Sequence, residues 1–243
     1  MRVPCSAIVV DMSAVDPLQP LRELGDVAVL AAEAVSAIAA VHRRPVSLRR
    51  ADLTGSESVL RGARTSALID DPSARDHEVP EGVLGASMSV SSMLAPGSLQ
   101  SSARVFSRAP LQVLARMSVL AGGDGHPEGE GAPERLQRLA VLINRGADDV
   151  LLPQVVHAEL LAHRLFGERS GLIARAAARL TAVTTGLDPR GLAVPEPHLL
   201  RHREEYSAAA RAWTQGSAVE FLELCLRSWI SGAQEAEDIA RAF

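Results

Sequence analysis

The chain has 243 residues, of which 47% are hydrophobic, and this is enough to form a globular core with at most a small appendage. Its formal net charge is −4, so bulk electrostatics do not indicate a nucleic-acid-binding protein. Aromatic residues make up only 3%, and alanine and leucine dominate the sequence, which favours helices over sheets.

Lysine and cysteine usage restricts the chemistry further. All 25 basic residues are arginine, a bias that a GC-rich genome explains, and no lysine is present to bind phosphate in a P-loop or to form a Schiff base. Cys5 and Cys225 match no metal-binding spacing, which fits a reduced protein. No signal-peptide pattern and no apolar run long enough to span a membrane is evident, so we expect a cytoplasmic protein without a membrane partner.

The predicted elements are almost all helical. Residues 1–20 read as an irregular lead-in, and apolar residues recur at helical spacing from 21 to 41. A polar loop is expected over 67–80, and a glycine-rich loop, GGDGHPEGEGAP, over 122–133. Further helices are predicted over 51–62, 82–94, 97–108, 110–121, 133–145, 152–166, 170–186, 195–213 and 217–242. No strand alternation is found, so we expect an all-α fold of nine or ten helices, with a boundary near residue 50.

The stretch LLAHRLFGERSGLIAR, residues 160–175, is the candidate functional motif. A turn-like GERSG separates two helical runs, and the second run would begin at Ser170 and Gly171. Backbone N–H groups at the start of a helix can bind an anion, and Arg175 could add charge. The alternative is that Ser170 only caps the helix, that Glu168 favours its positive end, and that Arg175 is solvated or structural.

This stretch resembles, without gaps, the signature H-P-F-x-[D/E]-G-N-G-R-x-x-R of Fic (Fido) domains, which transfer AMP. Other segments resemble the family in the same order: ESVLRGARTS, VVHAELLA, TTGLDPRGLAVPE and EEYSAAARAWTQGSAVEFLELCL. The resemblance covers roughly residues 50–235. It implies a Fic-like helical bundle over 51–243, with residues 1–50 as a lead-in and a helix that packs on this core.

The resemblance assigns a role to each motif position. The histidine that acts as general base falls on Arg164, and an arginine cannot accept a proton. Glu168 keeps the acidic position that holds Mg²⁺ in the family. His163 precedes Arg164 by one residue, a rotation of about 100° on a helix, so we expect it to point elsewhere. The remaining positions read Arg169 and Ser170 for the glycine and asparagine, Gly171 for the next glycine, Leu172 for the first arginine and Arg175 for the second.

Two regulatory elements of the family are also altered. The glycine-rich loop occupies the place of the β-hairpin flap that pairs with a target, and its composition disfavours an edge strand. The glutamate with which autoinhibited members block ATP falls on Arg61, followed by Gly62. Arg61 and Arg175 would then face the same pocket and repel each other unless an anion binds.

We therefore expect a pseudoenzyme that binds a nucleotide, another anion or a protein partner. One alternative is a diverged transferase of nucleotidyl (AMP) or phosphoryl groups that modifies a protein, with ATP and Mg²⁺ as cofactors. It would use Glu168 on the metal, Arg169 and Arg175 on the phosphates, and Glu168 or His163 as base. Another alternative is a non-catalytic interaction module, such as one half of a toxin–antitoxin-like pair. The basic segment 42–50 is better explained by a helix end than by nucleic acid.

Overall fold

A computed structural model describes residues 16–76 and 80–243 of the chain. These residues contain thirteen α-helices and three short 3₁₀ helices but no strand, so the predicted all-α class is confirmed. Cys5 and most of the predicted lead-in lie outside the described residues, as do residues 77–79 of the predicted polar loop. The helices are α1 (Gln19–Arg22), α2 (Val27–His42), α3 (Pro45–Arg49), α4 (Ala51–Asp70), α5 (Gly82–Ser91), α6 (Pro96–Phe106), α7 (Pro110–Leu120), α8 (Ala132–Arg145), α9 (Leu151–Ala162), α10 (Ser170–Thr185), α11 (Glu196–Arg201), α12 (Arg203–Thr214) and α13 (Val219–Ala242).

The count of nine or ten helices was too low for the part of the chain that the structure describes. The run predicted over 21–41 is interrupted because Gly25 adopts φ +43°, so α2 begins only at Val27. The run predicted over 195–213 breaks at His202, whose backbone is not helical. Helix α3 has only five residues and was missed. The largest error concerns α4, which continues eight residues beyond its predicted end and stops at Asp70.

Helix α10 lies at the centre of the molecule. Every residue from Ser170 to Val183 is buried, because α9 packs along one side of this helix while α4, α5, α6 and α7 surround the rest. Many of these residues are alanine, and small side chains let neighbouring helices approach closely on several sides. Its larger members, including Ile173 and Leu180, are fully buried, and truncating such a side chain to alanine costs about 2–5 kcal/mol.

The connection after α10 is held by buried polar groups. Gly186 adopts φ +84° and ends α10, as the sequence predicts. Asp188 accepts the backbone N–H groups of Leu192 and Ala193 and bonds to His42 Nε2 at 2.7 Å, and this ties the connection to the end of α2. Helix α2 in turn packs lengthwise on α13. Among the helices of the described ranges, none combines the length and the apolar character that crossing a bilayer requires.

Candidate functional site

The candidate site begins where α9 ends. The Leu165 N–H donates to the carbonyl of Leu160 at 3.2 Å, and the Arg164 N–H donates to that of Leu161 at 3.1 Å. These two bonds form a Schellman motif, which requires a left-handed residue and usually contains glycine there. Arg164 takes that place with φ +48°, and it is the only non-glycine residue with positive φ in the described ranges. The position of the motif histidine is therefore strained as well as cationic.

A short turn leads from Arg164 into α10. Gly167 has φ +58°, and the 3₁₀ helix Gly167–Arg169 continues directly into α10. The Ser170 hydroxyl accepts the Phe166 N–H at 2.9 Å, so Ser170 stabilises the turn. Arg169 occupies the N-cap position, and no side chain of the described residues caps the helix there. The interpretation of Ser170 as a helix cap is therefore wrong, and the positive end of α10 has no side-chain cap.

A cavity of about 500 Å³ opens at this end of α10. Its walls are the end of α4, the end of α9, the turn and first turns of α10, and one face of α12. The sequence-predicted site residues among its lining are Arg164, Glu168, Ser170, Gly171 and Arg175. Arg169, Arg61 and Gly62 do not line it. Ligand cavities in proteins have volumes of about 300–1,000 Å³, so this one has room for a small organic ligand.

Arg175 is the central charged group of the cavity. Its side chain is only 2% exposed, and Nη2 lies 2.8 Å from Asp70 Oδ2. Nε and Nη2 also donate to the hydroxyl and carbonyl of Ser66 at 2.7 and 3.1 Å. Nη1 is buried and makes no hydrogen bond of normal geometry with the rest of the described chain. Arg175 is therefore not solvated, whereas its contacts with Asp70 and Ser66 fit the alternative of a structural arginine.

Gly171 allows these groups to meet at the first turn of α10. A Cβ atom at this position would lie 2.7 Å from Asp70 Oδ1 and 3.1 Å from Arg175 Nη1. Either approach is tighter than ordinary van der Waals contact, so a larger residue would displace the pair from the helix end. The glycine of the motif therefore lets a carboxylate and a guanidinium reach the positive end of α10, which is where an anion is stabilised.

Behind Arg175 lies a buried polar chain. Burial lowers the pKa of Arg175, but Asp70 and the Tyr206 hydroxyl outweigh this effect and raise it overall. The Tyr206 hydroxyl is 2.5 Å from His157 Nε2, and His157 Nδ1 lies 3.7 Å from the Cys225 thiol. Burial, together with Arg175, lowers the pKa of His157 to about 3, so this ring is neutral at physiological pH. The neutral ring of His157 can therefore accept the hydroxyl proton of Tyr206 behind the Arg175 guanidinium.

The lining of the cavity is predominantly cationic. Besides Arg175, it includes Arg164, Arg203 and Arg211, while its acidic residues are Asp70 and Glu168. Four guanidinium groups thus face two carboxylates, one of which is already paired with Arg175. The sequence did not reveal Asp70, Arg203 or Arg211 as site residues. The sequence pattern predicts a loop at Asp70, although the first helix-breaking residue after it is Pro72 and a helix reaching Asp70 is compatible with the sequence.

Arg61 and Gly62 lie apart from the cavity. Arg61 forms ion pairs with Glu57 at 3.3 Å and Glu235 at 3.2 Å, so the prediction that it shares a pocket with Arg175 is wrong. Helix α4 turns Arg61 towards α13, whereas the Asp70 end of the same helix reaches the cavity. Gly62 instead packs against the buried pair formed by Arg179 and Glu196, and a Cβ atom there would lie 3.1 Å from Glu196 Oε2 and closer still to Arg179 Nη1.

The neighbours of the turn explain the position of His163. Its Nε2 lies 3.8 Å from Glu159 Oε1, and it is not among the residues that line the cavity. Burial lowers its pKa, and Arg135 adds to this effect, while Glu159 opposes it. The glycine-rich loop packs on the other side of the turn, where the Glu128 N–H donates to the Leu165 carbonyl at 2.9 Å. Its backbone forms no strand in this region.

No protein-family model matches the chain, and no curated protein matches it. The Fic resemblance thus depends on the quoted motifs alone. In the described ranges, no group of three or more His, Cys, Asp or Glu side chains is arranged to hold a metal ion. Glu168 is the cavity carboxylate that Arg175 does not engage. Mg²⁺ is commonly bound by one or two carboxylates plus substrate phosphates, so Glu168 fits such an ion only together with a phosphate ligand.

Proposed function

We propose that this protein is a Fic-like pseudoenzyme that binds a phosphate-bearing ligand, such as a nucleotide, at the start of α10 and does not transfer AMP. The observation that carries this proposal is the guanidinium of Arg175. Its side chain is 2% exposed and reaches the first turn of a helix without a side-chain cap. Its Nη1 makes no hydrogen bond of normal geometry among the described residues, although the Tyr206 hydroxyl also contacts the guanidinium. A buried donor left unpaired costs about 1–3 kcal/mol or more, and a phosphate oxygen would satisfy it.

The position of Asp70 also supports an anion site. Its carboxylate contacts Arg175 and approaches the first turn of α10, so this corner already stabilises one negatively charged group. The side chain of Asp70 is 25% exposed, and it can therefore move towards solvent when another anion arrives. A phosphate group offers three acceptor oxygens to the guanidinium of Arg175, whereas the carboxylate offers two.

The arrangement of groups around the turn argues against transfer. A general base must lie within hydrogen-bonding reach of the proton that it removes, and Arg164 occupies the place of the motif histidine. His163 is directed to Glu159, away from the cavity. Of the two cavity carboxylates, Asp70 is paired with Arg175, which leaves Glu168 as the base of an active alternative. We favour the non-transferring function because Glu168 is exposed and would have to hold the metal as well as remove the proton.

Binding can be tested by thermal unfolding with inorganic phosphate, AMP and ATP, each with and without Mg²⁺. A ligand at about 100 times its dissociation constant stabilises the folded state by about 2.7 kcal/mol, which is readily measured. Arg175→Lys should weaken the stabilisation by the ligand, because lysine keeps the positive charge but lacks the paired N–H donors of the guanidinium. Circular dichroism should check that this variant is folded. Arg138→Gln, an exposed arginine of α8, is the matched control. If none of the three ligands stabilises the wild type, the proposal is wrong and an interaction module is favoured.

Transfer can be tested separately with labelled ATP and a cell extract. We expect no labelled protein with the wild type. We also expect none with Arg164→His, since Leu172 and Ser170 still replace motif residues and the flap strand is missing. If the wild type labels protein and the Glu168→Gln variant does not, the pseudoenzyme proposal is contradicted and the transferase is supported. Labelling by Arg164→His alone would show that the other altered motif positions and the missing flap do not prevent transfer.

A further inference from the structure

Helix α12 brings two cationic side chains to the outer part of the cavity. Arg203 and Arg211 are separated by two helical turns, with Ser207 between them, and all three residues line the cavity. Both arginines are exposed, and neither forms an ion pair with an acidic side chain in the described part of the chain. Their guanidinium groups are therefore free to bind a ligand that extends outward from the start of α10.

The arginines of α10 and α12 together could bind an extended anion. Arg175 is buried in the cavity, whereas Arg203 and Arg211 are exposed at its open side. The two exposed arginines also border the adjoining surface groove, whose lining includes the acidic residues Glu204 and Glu205. Asp70 neutralises only the deep arginine. Like charges around one concave surface repel each other. An anion that contacts both the buried arginine and the two exposed arginines relieves this repulsion. A single phosphate ion is much smaller than a cavity of about 500 Å³ and does not extend from the buried arginine to the exposed ones.

We propose that Arg203 and Arg211 form a second anion subsite, so that the cavity selects ligands with two or more linked phosphate groups over monophosphates. This inference rests on the proposed function, since the first phosphate would bind at Arg175. Inorganic pyrophosphate and nucleoside diphosphates share this chemistry. The two arginines are then specificity-determining residues on α12, outside the motif at 164–175.

Calorimetric titration at physiological salt concentration tests the second subsite with inorganic phosphate, pyrophosphate, AMP and ADP. The wild type should bind pyrophosphate more tightly than phosphate, and ADP more tightly than AMP, each by about tenfold or more. The double variant Arg203→Gln with Arg211→Gln should lose most of this difference, because pyrophosphate and ADP should lose more affinity than phosphate and AMP do. The matched control is Arg116→Gln with Arg138→Gln, which removes two exposed arginines elsewhere and should preserve the difference.

The outcomes distinguish this inference from the proposed function. If the wild type binds phosphate and pyrophosphate equally well, or if the α12 double variant behaves like the control, the second subsite is wrong while the site at Arg175 stands. If the wild type binds none of the four ligands, the proposed function fails as well. Tighter binding of ADP than of pyrophosphate would identify a nucleotide as the ligand, and the reverse would identify an inorganic phosphate chain.

Discussion

Replacing Gly62 with alanine should destabilise the protein, although Gly62 lies inside a helix where alanine is normally favoured. The new Cβ atom would lie 3.1 Å from Glu196 Oε2 and closer still to Arg179 Nη1. Arg179 is 2% exposed, and its Nη2 donates to Ser58 Oγ at 2.9 Å and to the Gly191 carbonyl at 3.1 Å. The guanidinium cannot move away without stretching or breaking these bonds.

The magnitude follows from these contacts. Losing two hydrogen bonds to a charged group costs about 3–6 kcal/mol. The higher helix propensity of alanine returns about 1 kcal/mol, so we expect a net loss of about 2–5 kcal/mol. For a protein of this size, each kcal/mol lowers Tm by about 2–4 °C, which predicts a decrease of about 4–20 °C.

Calorimetric or fluorescence-detected thermal unfolding measures the effect of Gly62→Ala. The control is Gly97→Ala in α6, where an added Cβ atom would meet nothing within 4 Å, and its Tm should stay constant or rise slightly. If Gly62→Ala lowers Tm by no more than this control does, the buried pair is not rigid and the explanation for Gly62 is wrong.

Three further predictions concern the cavity and the buried groups behind it. Asp70→Asn should lower stability by about 1–3 kcal/mol, since it leaves the charge of Arg175 uncompensated. It should also tighten phosphate binding, because a competing carboxylate is removed. Unchanged phosphate affinity in titration calorimetry would show that the carboxylate does not compete. Arg164→Gly should raise stability by about 1 kcal/mol, because glycine adopts φ +48° without strain, and a lower Tm would contradict this. The lowered pKa of His157, about 3 against 6.5 in the unfolded chain, makes the unfolded state bind this proton first. Its contribution to stability is therefore fully present above pH 6.5 and lost as pH falls towards 3, by at most about 1.4 kcal/mol per pH unit. Urea unfolding should show a smaller pH dependence in His157→Gln, and equal slopes would refute the assignment.

The sequence predicted those helices that begin or end at residues with strong backbone preferences. Pro96, Pro110 and Pro133 stand in the first turns of α6, α7 and α8, and Gly186 ends α10, as expected. Helix α3 is too short to show periodicity. The break at His202 has neither glycine nor proline to mark it, and it depends on packing that a single sequence does not reveal.

The site could be predicted only where it is local in sequence. Arg164, Glu168 and Arg175 lie within twelve residues, so the turn and the helix after it bring them to one cavity. Asp70 and Arg203 come from α4 and α12, and their approach depends on how α4 packs on α10 and how α12 packs on α9 and α13. Periodicity assigns a residue to a face of its own helix but not to a partner a hundred residues away.

Under the proposed function, the carboxylate beside Arg175 would make ligand binding an exchange of one anion for another. Because Asp70 is attached to the end of α4, its effective concentration at this corner far exceeds that of any dissolved monoanion. Buffer ions such as acetate or chloride must displace a resident competitor, and they gain little in return. Under the proposed function, a ligand occupies the corner only if its binding energy exceeds that of the tethered carboxylate, so weakly binding salts would be excluded.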